Sequence, residues 1–189
     1  MKLRIFLLAG AACVLAASAL AADTPYAGQQ TRMIKALSDD DIAALRKGEG
    51  MGMAKAAELN GYPGPVHVMA LAAQLGLTET QLRDVKAIFD RMSAAAKPPG
   101  VDLIAQEQAL DQLFAKGEIT PHRLIAATAA IAELQGRLRA VHLSAHLETR
   151  AVLDAGQIAR YHNSGAMVIH KRRGRIITIT AEASNKLAS

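Results

Sequence analysis

TPHRLIAATAAIAELQGRLRAVHLSAHLETRAVL, residues 120–153, is the stretch that decides the fold. Thr120 can cap a helix and Pro121 suits its first position, where a missing N–H costs nothing. No breaker follows except Gly136, which a long helix tolerates for about 1 kcal/mol. Ile131, Leu134, Leu138, Val141, Ala145 and Val152 recur at helical spacing and make one stripe. Ile125, Leu143 and Leu147 fall on nearly the opposite side. A helix with two apolar faces must bury both, one inside its own subunit and the other against a second copy or a client. The expected fold class is therefore all-α: an elongated hairpin or extended bundle of about four to six helices that relies on a partner subunit for burial.

Reading outward from this helix, the other segments carry their own start and stop signals. Ser38 precedes Asp39, Asp40 and Asp41, an N-cap with acids in the first turn. Gly48, Gly50 and Gly52 then loosen the backbone around Met51 and Met53, which suit soft metal ligation or, more commonly, gap-filling in a core. Residues 60–65, Asn-Gly-Tyr-Pro-Gly-Pro, form a turn cluster, and Pro65 can open a helix running to about Leu75. Thr78 and Gln81 make a capping box for a helix carrying Leu82, Val85, Ile88, Phe89 and Met92 on one face. Lys97-Pro98-Pro99-Gly100 is expected to interrupt it, with a new helix from Val101 to Lys116. Asp154 and Gln157 repeat the capping logic before a short helix with Ile158 and Tyr161. No strand-like alternation occurs before residue 170.

Composition bounds the function. Residues 1–21 read as a secretory signal peptide: Lys2 and Arg4 lead an apolar run to Leu20, and Ala19-Leu20-Ala21 is a small-x-small cleavage site. A membrane anchor is the alternative, but the run is short for a span and Asp23 follows directly. Cleavage removes Cys13, the only cysteine, leaving no disulfide, thiol nucleophile or thiolate ligand. It also lowers the formal charge from +5 by the two basic residues it takes away. That mild basicity does not suggest a nucleic-acid binder. Residues 22–37 read as a flexible arm, 38–162 as the helical domain, and 163–189 as a basic, disordered tail. Lys171, Arg172, Arg173 and Arg175 give that tail a weak electrostatic attraction to an anionic membrane surface. Aromatic residues make up only 3% of the chain, with no Trp, so the core must be built from Ala, Leu, Ile and Met. Phosphate loops and nucleophile triads are missing from the sequence, which argues against an enzyme.

The chemistry that remains is imidazole and carboxylate. His142 and His146 stand one turn apart, so both can reach one side of the long helix and share a transition metal. The same spacing suits two packed imidazoles. Glu107 is an acid on an apolar stripe with Leu103 and Leu110, either at the stripe's edge, paired with an arginine, or awaiting a cation. His67 follows Pro65 in the first turn of its helix, where a capping or surface histidine is the commoner outcome. Glu107 and His67 are the candidates to complete a site begun by His142 and His146. A His and carboxylate set without thiolate suits Zn, Ni, Co or Cu(II), and no other cofactor is expected. Arg137, Arg139, Arg150 and Arg160 are basic residues that either rim an apolar client-binding face or are simply solvated.

Leu77-Thr78-Glu79-Thr80-Gln81 resembles the LTxxQ motif of the periplasmic Spy and CpxP proteins. Leu153-Asp154-Ala155-Gly156-Gln157, with Tyr161 after it, resembles the motif's second copy, with Asp where Thr is usual. Residues 57–65, then His67-Val68, and Val141-His142-Leu143 through His146-Leu147 resemble the heavy-metal-resistance branch of that superfamily. The resemblance covers residues 38–162. It implies a periplasmic helical hairpin that dimerises into a cradle, and a role as an ATP-independent chaperone, a stress-sensor adaptor, or a metal sensor or store. Unfolded clients or an envelope sensor are the partners it implies. Pro98-Pro99 and the long basic tail depart from its pattern.

Overall fold

The computed structural model describes residues 25–164; the signal-peptide reading of 1–21 and nearly all of the 163–189 tail lie outside the described residues. Among these, all regular structure is helical. Residues 25–31 form a unit of their own, a turn running into a 3-10 helix, Gln29–Thr31. The rest, from Arg32, holds seven α-helices: α1 Asp39–Lys47, α2 Lys55–Glu58, α3 Pro65–Ala70, α4 Ala72–Leu75, α5 Glu79–Ala115, α6 Pro121–Val152 and α7 Ala155–Asn163. None is long and apolar enough to cross a membrane.

The helix starts follow the caps read from the sequence. Ser38, Thr78 and Asp154 each accept from the amide three residues on, and Asp41, Gln81 and Gln157 reach back to complete three capping boxes. Thr120 caps α6 with Pro121 in its first turn. The second and third boxes also meet each other. Gln81 and Gln157 exchange a reciprocal pair of amide hydrogen bonds, both 2.9 Å, and Gln81 Nε2 also donates to Val152 O. The two LTxxQ-like motifs are thus a single clasp: each caps its own helix and the two glutamines tie the start of α5 to the junction of α6 and α7.

Two expectations are corrected. Pro98 and Pro99 do not end a helix; α5 runs through them as one element of 37 residues. Each proline removes an i→i−4 donor, leaving the carbonyls of Ala94 and Ala95 without the usual partner. Packing on both sides outweighs that loss. Ala96, Leu103 and Ile104 are buried in one cluster with Leu45 of α1 and Ile131 and Leu138 of α6. Gly100 lets the α1 backbone lie directly against α5. The 22–37 segment is also not all arm: Ile34 is 1% exposed in that same cluster, and Lys35 pairs with Asp111.

α5 and α6 pack antiparallel along their length, and their apolar faces hold the core. The predicted α6 stripe is the inner one: Ile131, Leu138 and Ala145 are buried, with Leu134, Val141 and Val152 packed beside them. The opposite face is open, with Ile125 70% exposed and Leu147 also exposed. Near the base, Val68, Leu75, Val85, Leu153 and Tyr161 form a second cluster that seats α3, α4 and α7 on the hairpin.

Candidate functional site

The site is built around a residue that the sequence reading did not single out, Glu58. It ends the four-residue helix α2 and is only 9% exposed. Its Oε1 accepts from the Gly64 amide at 3.2 Å and pairs with His67 Nδ1 at 2.8 Å. Its Oε2 accepts the Tyr161 hydroxyl at 2.8 Å. Burial alone would push the carboxyl upward. The hydrogen bonds from His67 and Tyr161, with the nearby His67 and His146 imidazoles, overcome this and hold it below the usual carboxylate range. The phenol responds in the other direction: burial, then the Glu58 charge beside it, pushes Tyr161 far up and keeps it a donor.

His146 enters the same neighbourhood from α6. It is 7% exposed, and its Nδ1 lies 2.7 Å from Tyr62 O, which makes Nδ1 the protonated nitrogen. Its other edge lies against Gly64. A Cβ on Gly64 would meet His146 Cε1 at 2.7 Å, Nε2 at 2.8 Å and Glu58 Oε1 at 3.0 Å, so glycine is what lets ring and carboxylate share this corner. Arg150, one turn on, donates to Gly61 O and stacks over the Tyr62 ring, 4.6 Å from its centroid. The turn cluster at 60–65 is therefore clamped onto α6 by His146 and Arg150 and onto α7 by the Glu58–Tyr161 bond.

His142 lies one turn before His146, buried at 2% exposure against Gly50. Its Nε2 is a buried polar atom with no hydrogen-bond partner. Burial, then the neighbouring His146, lowers its pKa, so it is held neutral with a free ring nitrogen.

Of the four residues predicted as metal ligands, the structure brings His67 and His146 to one carboxylate and leaves His142 a turn away. Glu107 does not join them. His142 follows Val141, which packs with Ile88, Met92 and Ala145, and Glu107 lies roughly 20 Å further along α5 at 1.5 Å per residue. It sits between Ile104 and Leu110, which belong to the Ile131 level of the hairpin. Burial pushes its carboxyl up, and it makes no ion pair among the described residues. No group of three or more His, Cys, Asp or Glu among the described residues is arranged to hold a metal ion as it stands. The donors nevertheless fit one chemically: a carboxylate, two imidazoles and an orphaned imidazole nitrogen are the set that first-row divalent ions take.

The four arginines read as a basic rim separate into two kinds. Arg137 pairs with Glu133, Arg150 is committed to Gly61 and Tyr62, and Arg160 donates twice to Leu75 O. Arg139 makes no ion pair or hydrogen bond among the described residues. Met51 and Met53 also differ from a ligand pair: Met53 packs against the main cluster, and Met51 stands 43% exposed. No family model matches this chain, and no curated protein or solved structure does either.

Proposed function

We propose that this protein is a periplasmic stress protein of the Spy/CpxP kind, in the heavy-metal-resistance branch, that takes up one divalent transition ion through Glu58, His67 and His146. One observation carries this reading. Two of the candidate histidines, His67 from α3 and His146 from α6, converge on one buried carboxylate. His142, with its free buried nitrogen a turn away, is the reserve donor. Zn, Ni, Co or Cu(II) suits the set, and imidazole and carboxylate bind such an ion only in their unprotonated forms. Binding therefore tightens as pH rises.

Calorimetry of metal-free protein with each ion is expected to show one saturable site of micromolar or tighter affinity. His67→Ala with His146→Ala should abolish it, and Glu107→Gln should leave it unchanged. No saturable heat, or heat that survives the double substitution, overturns the reading.

A second reading is favoured by a different observation. Phe114, Leu124 and Ile125 are exposed around the α5–α6 turn, and Leu147 lies exposed further along α6. Such a face suits weak, ATP-independent holding of unfolding clients, or burial against a second copy of the chain. Equimolar protein is expected to slow aggregation of a denatured client without ATP, and Ile125→Glu with Leu147→Glu to remove most of that effect. Suppression untouched by these two changes counts against this face. No catalytic role is part of either reading.

A further inference from the structure

Between α1, the start of α2 and the α5–α6 hairpin lies a groove of about 400 Å³. Its lining comes from four parts of the chain: Leu37 and Leu45 around α1, Met51, Met53 and Lys55 from the following segment, Leu103 of α5, and Arg139 of α6. Leu45 and Leu103 belong to the main apolar cluster, so the floor of the groove is the edge of the core.

Three features set it apart from an ordinary packing gap. Met51 is the one described non-glycine residue with a left-handed backbone, φ 45°, a conformation that costs a non-glycine residue roughly 1–2 kcal/mol. That backbone places an exposed methionine at the rim. Lys55 and Arg139 supply two cations from two different elements, and neither forms an ion pair among the described residues. No Asp or Glu lines the groove. Arg137, Arg150 and Arg160 are satisfied by Glu133, Gly61 and Leu75, whereas Lys55 and Arg139 stand over an apolar floor with no carboxylate in the lining.

We propose that this groove is a docking site for an extended peptide segment in which apolar side chains are flanked by carboxylates. Charge complementarity selects that partner. Two cations on separate elements suit acids on either side of a buried apolar side chain, whereas a single-headed amphiphile offers only one. Methionine at the rim suits a partner of variable sequence, because its flexible, polarisable side chain re-packs around different shapes. The proposal rests on neither the metal site nor the open face of α6. An unfolded client or a regulatory partner would each supply such a segment.

The test is fluorescence anisotropy with a labelled twelve-residue peptide carrying two leucines between glutamate pairs, beside the same peptide with lysines for glutamates. Saturable binding of the acidic peptide is expected, at least tenfold tighter than that of the basic one. Lys55→Glu with Arg139→Glu should reverse the preference, with the circular dichroism of the protein unchanged. Ile125→Glu should leave binding as it was. Equal binding of the two peptides, absence of binding, or loss through Ile125→Glu instead overturns the proposal. So does saturable binding of dodecanoate, lost in Lys55→Glu with Arg139→Glu, with no saturable peptide binding, which assigns the groove to an amphiphile.

Discussion

Glu58→Ala is expected to destabilise the protein by about 3 kcal/mol. The carboxylate joins three elements, and its removal strands the buried Gly64 amide and leaves the Tyr161 hydroxyl only its longer contact with His67 Nδ1, at 3.3 Å. An unsatisfied buried donor costs about 1–3 kcal/mol, and losing one side of a buried charged pair costs about 3–5 kcal/mol. The lower end applies because His67 is partly exposed and can turn to water. In a domain of this size the loss should lower Tm by about 6–12 °C. Tyr161→Phe removes the hydroxyl's bond to Glu58 and its longer contact with His67 but leaves the carboxylate two donors, so about 1 kcal/mol is expected. Urea denaturation of the wild type and both variants measures the order. Equal stability of wild type and Glu58→Ala would mean that the cluster contributes nothing to holding α2, α3 and α7 together.

The pH dependence follows from the same charge. Glu58 titrates lower in the folded chain than in the unfolded one. Its contribution is therefore present above the unfolded carboxylate pKa, near 4.5, and lost as pH falls through the lower folded value. Wild type and Glu58→Ala should converge in stability on the acid side of 4.5 and diverge above it.

How much of this was legible in the sequence depends on how local the signal was. Ser38, Thr78, Thr120 and Asp154 cap the helices they were read to cap, because a cap is decided within four residues. The two-faced character of α6 was legible for the same reason: periodicity alone fixes which side chains share a face. Pro98-Pro99 misled because the cost of a proline is local while its compensation comes from Leu45, Ile131 and Leu138, distant in sequence. Glu58 was missed because a four-residue helix has no periodicity to betray a buried acid, and its partner Tyr161 lies 103 positions away. Glu107 stands out in the sequence as an acid on an apolar stripe, but periodicity within one helix does not carry the register of the hairpin. Folding back from the turn at Gly117 would have placed it opposite the Ile131 level, too far from either histidine.

Gly100→Ala and Gly136→Ala should have opposite signs, although each puts alanine into the interior of a long helix. In an isolated helix both would gain roughly 0.5–1 kcal/mol from reduced backbone entropy in the unfolded chain. At Gly136 a Cβ meets nothing within 4 Å, so that gain should appear in full as a rise in Tm. At Gly100 the same Cβ would lie 2.5 Å from the Leu45 carbonyl oxygen and 3.1 Å from its carbon. These are backbone atoms, so the clash cannot be relieved by a side-chain rotation. α1 must move off α5, and with it go the burial of Leu45 and the Ser93 hydroxyl bond to Lys47 O. Overpacking of this kind costs about 1–3 kcal/mol, which outweighs the helical gain. The expected net loss is about 1–2 kcal/mol, larger for Gly100→Leu. Denaturant midpoints of the two alanine variants decide the matter. Parallel stabilisation by both would mean that α1 does not rest on Gly100. The continuity of α5 through Pro98 and Pro99 would then need another support, since the contact with α1 is what holds the helix where its own hydrogen bonds are missing.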